Sequence, residues 1–151
     1  MKIVLGSDHA GFRLKEELRR HLESAGHAVL DVGTSSEESV DYPDYGFAAG
    51  RAVASGRVDR GVVVCGTGIG IAIAANKVKG VRAGTPGDLF ATRAMREHND
   101  ANVIAFGARL TAAPLAIAML DLFLSTPFAG GRHARRVEKL DAASPSPKNG
   151  D

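Results

Sequence analysis

Residues 61–77 read GVVVCGTGIGIAIAANK. The apolar run over residues 61–65 is continuous rather than alternating, which is typical of a strand covered on both faces and so of a central strand in a parallel sheet. Three glycines, Gly66, Gly68 and Gly70, interrupt the next five residues, and a helix of small residues is predicted over residues 71–77. A strand, a glycine loop and a helix in this order indicate an α/β fold.

The rest of the chain repeats this alternation and predicts a single α/β domain over residues 1–142, with about five parallel strands. The other strands are predicted over residues 3–5, 28–32, near residue 81, and over 102–106. The other helices are predicted over residues 12–25, 43–55, 89–97 and 111–125, with a basic C-terminal helix over 132–142. Residues 33–42 are predicted to be a polar loop, and the tail 143–151 is predicted to be disordered.

Composition excludes several classes of protein. The 151 residues include 19 Lys and Arg against 17 Asp and Glu, and a net charge of +2 does not suit a protein that coats nucleic acid. The single cysteine, Cys65, excludes an intrachain disulfide and a multi-cysteine zinc site. No apolar run approaches the ~20 residues of a membrane span, and no signal-peptide pattern opens the sequence. We therefore expect a cytoplasmic protein that binds neither membrane nor nucleic acid.

The glycine loop after the central strand predicts an anion site, because backbone N–H groups at a helix N-terminus attract negative charge. Its spacing, Gly66-x-Gly68-x-Gly70, fails the Gly-x-Gly-x-x-Gly dinucleotide fingerprint, and it lacks the Gly-Lys-Ser/Thr of a P-loop. Cys65 stands at the mouth of this loop, where a helix N-terminus favours the thiolate form. A thiolate there can act as a nucleophile or a base; the alternative is a buried small hydrophobic residue that ends a strand.

Further polar residues are expected at the same edge of the sheet as Cys65. Asp8 and His9 follow the first strand and can move protons, or else cap a helix and face solvent. Arg132 and Arg136 lie four apart on one helix face and can clamp a phosphate, or else form a solvated basic face. The full set of candidates is Asp8, His9, His98, Asn99, Asp100, Arg109, Arg132, His133, Arg135, Arg136 and Lys139.

Several stretches, in order, resemble the ribose-5-phosphate isomerase B family, which includes the lactose-pathway galactose-6-phosphate isomerase subunits. They are GSDHAGF (6–12), DYP (41–43), CGTGIG (65–70) with AANK (74–77), EHNDAN (97–102), and GRH (131–133) with Arg136. The resemblance covers about residues 3–140. It implies a Rossmann-like doubly wound sheet, a phosphorylated sugar as substrate, and no metal or cofactor.

The resemblance also implies roles for individual residues. Cys65 matches the base that removes the C2 proton of an aldose, and the loop of Gly66, Thr67, Gly68, Ile69 and Gly70 matches the segment that holds the enediolate oxygen. His98 matches the residue that opens the furanose ring, with Asp8 near the same oxygen. Tyr42 and Asn99 match sugar contacts, and the phosphate pocket corresponds to His9, Arg109, Arg132, His133 and Arg136. The family forms dimers or tetramers in which a neighbouring subunit completes each site, so we expect a homodimer or a tetramer.

Some relatives carry a glycine where this chain has Cys65 and a glutamate base where it has Ile71, so the cysteine-type subgroup is implied. Residues 84–90, GTPGDLF, and the tail beyond residue 142 depart from the family pattern. The leading hypothesis is the interconversion of D-ribose 5-phosphate and D-ribulose 5-phosphate through a cis-enediolate, with Thr67 orienting the thiol or a sugar hydroxyl. The alternatives are isomerisation of a 6-phosphohexose or tetrose phosphate, a subunit that needs a paralogous partner, and a non-catalytic sugar-phosphate or nucleotide-binding module.

Overall fold

The computed structural model describes residues 1–143, so the predicted disorder of the tail lies, except for residue 143, outside the described residues. The described chain forms one five-stranded, all-parallel sheet in the order β2-β1-β3-β5-β4. The strands are β1 (Lys2–Ser7), β2 (Ala28–Asp31), β3 (Arg60–Cys65), β4 (Ala83–Gly84) and β5 (Val103–Gly107). The apolar run that suggested a central strand is the middle strand, β3, and this prediction is confirmed.

Helices cover both faces of the sheet, as expected of a doubly wound fold. They are α1 (Phe12–Ser24), α2 (Tyr42–Ala54), α3 (Ile69–Asn76), α4 (Leu89–Glu97), α5 (Ala113–Ser125) and α6 (Ala134–Ala142), with a 3₁₀ turn at Gly131–His133. Apolar residues of α1, α4 and α5 form one core with Ile3, Leu5 and Phe106. Those of α2 and α3 form a second core with Val4 and Val63. Alternate residues of the central strands thus enter opposite cores.

Several boundaries differ from the prediction by a few residues, and two of the differences bear on the candidate site. The strand expected near residue 81 is the two-residue strand Ala83–Gly84, and it lies at the edge of the sheet beyond β5. The C-terminal helix is preceded by a 3₁₀ turn, because Gly130 and Gly131 have positive φ angles, 64° and 55°, before the helix begins. No helix within residues 1–143 combines the length and apolar character that a membrane span needs.

The parallel topology gives the sheet two distinct edges. The carboxyl edge carries the segments that follow β1, β2, β3 and β5. The amino edge carries the segments that lead into the strands, including residues 98–102 before β5, and the guanidinium of Arg82 binds Asp141 of α6 there. The chain order reverses between β1 and β3, which makes the carboxyl ends of these two strands the topological switch point where ligands bind in open α/β sheets.

Candidate active site

Cys65 ends β3 at this switch point and is 5% exposed. Its Sγ accepts a hydrogen bond of 3.1 Å from the backbone N–H of Gly68. Gly68 has a φ of +79°, and a Cβ there would lie 2.8 Å from the carbonyl carbon of Phe106, so only glycine fits without strain. The loop therefore turns back over the thiol and directs an N–H group at the sulfur.

The first turn of α3 supplies further donors beside the thiol. The N–H of Ile69 donates to Thr67 Oγ1 at 3.4 Å, so Thr67 orders the loop. The N–H groups of Gly70 and Ile71 have no hydrogen-bond partner within residues 1–143. Free N–H groups at the start of a helix carry partial positive charge. This end of α3 is therefore equipped to bind an oxyanion.

Tyr42 and Arg109 contact the same glycine loop. A Cβ on Gly70 would lie 2.8 Å from Cζ of Tyr42, so the phenol ring packs directly against this glycine. A Cβ on Gly66 would lie 3.1 Å from Nη1 of Arg109, whose guanidinium covers the other end of the loop. Two of the predicted substrate contacts are thus brought against the loop that follows Cys65 by glycines that leave room for them.

Asp8 and His9 lie on the neighbouring loop, between β1 and α1. Asp8 is buried, and its Oδ1 accepts from the N–H of Gly11 at 3.0 Å in the turn that precedes α1. Gly11 is the N-cap of α1 and no side chain caps this helix, so Asp8 is not its capping residue. Asp8 is also held against β3, because its N–H donates to the carbonyl of Val64 at 3.3 Å. His9 Nδ1 accepts from the N–H of Val40 at 3.1 Å and so binds the loop that leads to α2. Both residues belong to the carboxyl edge.

Five of the predicted site residues lie at the amino edge of the sheet: His98, Asn99, Arg132, His133 and Arg136. Within a single chain, the expectation that they share an edge with Cys65 is therefore wrong. His98 ends α4, which runs from the carboxyl to the amino edge before β5 begins. Cys65 pairs with Gly107 at the end of β5, whereas residues 98–102 precede Val103 at its start. Four strand residues separate these points by about 13 Å. One small sugar cannot contact Cys65 and His98 of the same chain.

The amino-edge residues form a cluster of their own. The rings of His98 and His133 stack at 4.4 Å between centroids and 10° between planes. His133 is 8% exposed, and its Nδ1 has no hydrogen-bond partner within the described chain. Burial, followed by the nearby His98, Arg132 and Arg136, lowers the pKa of His133 below its usual value. An imidazole with an unpartnered ring nitrogen beside two arginines is suited to form hydrogen bonds with an anionic ligand.

Sequence reasoning missed two residues that organise this cluster. Arg96 is buried, and its Nη1 donates to Asp100 Oδ1 at 2.8 Å, while Arg82 Nη2 donates to Asp100 Oδ2 at 3.0 Å. Asp100 has a φ of +45°, the one positive value outside glycine in residues 1–143. The i,i+4 spacing of Arg96 and Asp100 was a visible signal for the first pair. The pairing with Arg82, 18 residues away, has no local signal.

A pocket lined in part by the predicted site residue Asn99 lies at the amino edge. It has a volume of about 420 Å³ and is lined by Arg82, Asn99, Leu140, Asp141 and other residues of β4, α4 and α6. The segment 84–90, which departs from the family pattern, begins at this pocket with Gly84, and a Cβ there would lie 3.0 Å from Cε of Met95. Among residues 1–143, no group of three or more His, Cys, Asp or Glu side chains is placed to hold a metal ion.

Comparison with known proteins gives matches that span nearly the whole chain. A family model described as Ribose/Galactose Isomerase matches residues 3–140. Ribose-5-phosphate isomerase B of Escherichia coli K12 is 47% identical over 141 residues, which are 93% of this chain and 95% of that protein. The solved structure of ribose-5-phosphate isomerase B from Clostridium thermocellum is 51% identical with a TM-score of 0.93, and the match covers 94% and 96% of the two chains. That from Thermotoga maritima is 47% identical with a TM-score of 0.92, covering 94% and 98%.

Proposed function

The chain belongs to the ribose/galactose isomerase family, and within this family of sugar-phosphate isomerases we propose that it interconverts D-ribose 5-phosphate and D-ribulose 5-phosphate with Cys65 as the base. The observation that carries the assignment is the hydrogen bond from Gly68 N–H to Cys65 Sγ at the switch point of the sheet. It stabilises the thiolate that must accept a carbon-bound proton. A base thiol must stay reduced, which fits the cytoplasmic location expected from the sequence.

The proposed reaction moves protons and consumes no oxidant. The Cys65 thiolate takes the proton from C2 of the open-chain aldose, and the C–H electron pair forms the C1–C2 double bond. The carbonyl π pair moves onto O1, which gives the cis-enediolate. A proton then passes from O2 to O1, and the Cys65 thiol returns its proton to C1 as C2 becomes the ketone. C1 is reduced and C2 oxidised within one molecule, so the electrons balance.

The negative charge of the enediolate falls on O1 and O2, within reach of the N–H groups of Gly70 and Ile71 in this proposal. Donors fixed in place before the reaction cost no reorganisation, and such electrostatic stabilisation is often the largest catalytic contribution. Thr67, held through its contact with Ile69 N–H, keeps the loop in the required shape. Tyr42 and Arg109 then hold the sugar and the phosphate beside this loop.

We further propose that each site is shared between two chains. Cys65 and His98 of one chain lie at opposite edges, which supports a site in which His98, Asn99 and the residue 132–136 segment come from a second copy. The exposed apolar residues of α3 support the same arrangement. Ile69 and Ile73 are 56% and 55% exposed beside the glycine loop, and a partner that covers them would also reach Cys65. Sedimentation of the purified chain tests this directly, and a monomer with full activity would contradict it.

The test of the function is an isomerase assay of the purified chain against a panel of phosphorylated aldoses. Ribose 5-phosphate is expected to give the highest kcat/KM, and activity of the chain alone would exclude the need for a paralogous partner. Turnover in D₂O is expected to place deuterium on C1 of the ketose wherever the thiol exchanges its proton with solvent. Tight nucleotide binding without isomerisation of any pentose phosphate would contradict the proposal.

The family description also supports a second substrate, a 6-phosphohexose such as galactose 6-phosphate. The relevant observation is the 420 Å³ pocket lined by Asn99 and by Gly84, the first residue of the segment that departs from the family pattern. A kcat/KM for galactose 6-phosphate above that for ribose 5-phosphate would favour this substrate. Replacement of Gly84 by valine would then reduce activity on the hexose more than on the pentose.

A further inference from the structure

We propose that Arg82 is a positioning residue that couples the His98–Asp100 turn to helix α6. All three nitrogens of its guanidinium donate hydrogen bonds. Nε donates to the carbonyl oxygens of Asn99 and Asp100 at 3.2 and 3.1 Å, Nη2 to Asp100 Oδ2 at 3.0 Å, and Nη1 to both carboxylate oxygens of Asp141 at 3.0 and 3.1 Å. One side chain therefore holds two segments that are about 40 residues apart in sequence.

The turn needs this support because its backbone is held in an unfavourable conformation. Asp100 adopts a φ of +45°, which costs free energy for any residue except glycine. Arg96 binds the other carboxylate oxygen of Asp100, and its Nη1 also donates to the carbonyl of Ala101 at 2.6 Å. The main chain of Arg82 is fixed as well, since its N–H donates to Asn102 Oδ1 at 2.8 Å. The turn that carries His98 and Asn99 is thus built around Arg82 and Arg96.

The second half of the coupling is the ion pair with α6. The Arg82 side chain is 17% exposed and that of Asp141 is 46% exposed, so the pair is partly shielded from solvent. Helix α6 follows His133 directly, and His133 stacks on His98. The ion pair and the ring stack are therefore two links between the same two segments. Together they set the distance from His98 and Asn99 to Arg136 on α6.

The inference rests on the proposed function in one respect: these segments must bind the sugar phosphate for the coupling to matter in catalysis. If they do, loosening α6 should weaken phosphate binding more than it slows the chemical step. Loosening the turn should also slow ring opening, since that step depends on the position of His98. The two links of Arg82 therefore predict different changes in KM and kcat.

The experiment compares Asp141→Ala with Glu138→Ala, a matched control on the same helix whose carboxylate makes no ion pair within residues 1–143. Asp141→Ala is expected to raise KM for ribose 5-phosphate about three- to fivefold with kcat within about twofold, the size of effect expected for a partly exposed ion pair. Glu138→Ala should leave both constants unchanged. Arg82→Lys, which keeps the charge but loses the forked contacts, should lower kcat as well as raise KM.

A second measurement does not depend on activity. The ring-proton NMR signals of His98 and His133, recorded at one pH, should shift in Asp141→Ala and stay in place in Glu138→Ala, because stacked rings displace each other's signals. Unchanged ring signals in Asp141→Ala, or kinetics equal to those of Glu138→Ala, would overturn the coupling. A wild-type chain without isomerase activity would refute the proposed function instead, and the ring signals would still decide whether Arg82 and Asp141 hold the stack.

Discussion

The two edges of the sheet hold their functional residues by different means. At the carboxyl edge, the loop from Cys65 to Gly70 is shaped by backbone hydrogen bonds and by glycines packed closely against Phe106, Tyr42 and Arg109. At the amino edge, the turn at Asp100 and helix α6 are held by charged side chains and a ring stack. Close packing is insensitive to salt and pH, whereas partly exposed ion pairs and histidines are not. One chain therefore provides a half-site held mainly by packing, the rigid half, and a half-site held mainly by charges, the adjustable half.

The largest expected effect belongs to the rigid half. Cys65→Ala removes the proposed base and is expected to lower kcat by about 10³-fold or more, in line with losses of a general base. Calorimetric binding of the sugar phosphate should remain within a few-fold of wild type, because the N–H groups of the loop stay in place. Cys65→Ser keeps the size and the contact with Gly68 but is a far weaker base, so it should be nearly as inactive. Turnover close to wild type in either variant would remove Cys65 from its role.

The next test decides whether the two halves meet across chains. His98→Asn is expected to lower kcat about 10²-fold, again within the range for proton-transfer groups. Refolding it together with Cys65→Ala should restore activity, because a mixed dimer contains one site with both residues intact. Random mixing makes about half of the molecules mixed dimers, and each mixed dimer has one intact site of its two. The isomerase activity should therefore recover to about a quarter of the wild-type value. No recovery in a confirmed mixed dimer would show that the halves do not complete each other.

Packing at the carboxyl edge can be tested through stability. In Gly68→Ala, the alanine would have to adopt a φ of +79°, and its Cβ would lie 2.8 Å from the carbonyl carbon of Phe106. Gly56 is a matched control, since its φ is +71° and nothing lies within 4 Å of a Cβ there. Gly56→Ala should cost about 1 kcal/mol in the free energy of unfolding, the conformational cost alone, and Gly68→Ala about 2–3 kcal/mol. Equal losses in urea unfolding would mean that the contact with Phe106 is not rigid.

The smallest expected effect concerns pH and the adjustable half. Burial lowers the pKa of His133 in the folded chain, so the unfolded chain binds a proton more readily. The free energy of unfolding should therefore fall as the pH drops from about 7.5 to 5.5, through the range of an ordinary histidine. His133→Asn should show a smaller fall over the same range in urea unfolding. The same fall in both proteins would exclude His133 as the source.

Much of this architecture was predictable because its causes are local. The periodicity of apolar residues located five strands and six helices to within a few residues, and the continuous run over residues 61–65 identified the central strand. The position of His98 was also implied by chain order, since any helix that leads into a parallel strand ends at the amino edge. Grouping His98 with Cys65 overlooked that rule. The family resemblance assigned both residues to one reaction and implied sites completed by a neighbouring subunit, without indicating which residues that subunit supplies.

The sequence by itself determined the α/β class, the glycine loop beside Cys65 and the family to which the chain belongs, because these depend on residues close together in the chain. Only the tertiary structure decided which candidates share an edge, and which charges pair. Arg82 meets Asp100 and Asp141 across 18 and 59 residues, and such pairings depend on how helices pack on the sheet. Packing of this kind is a property of the whole folded chain, so no local pattern records it.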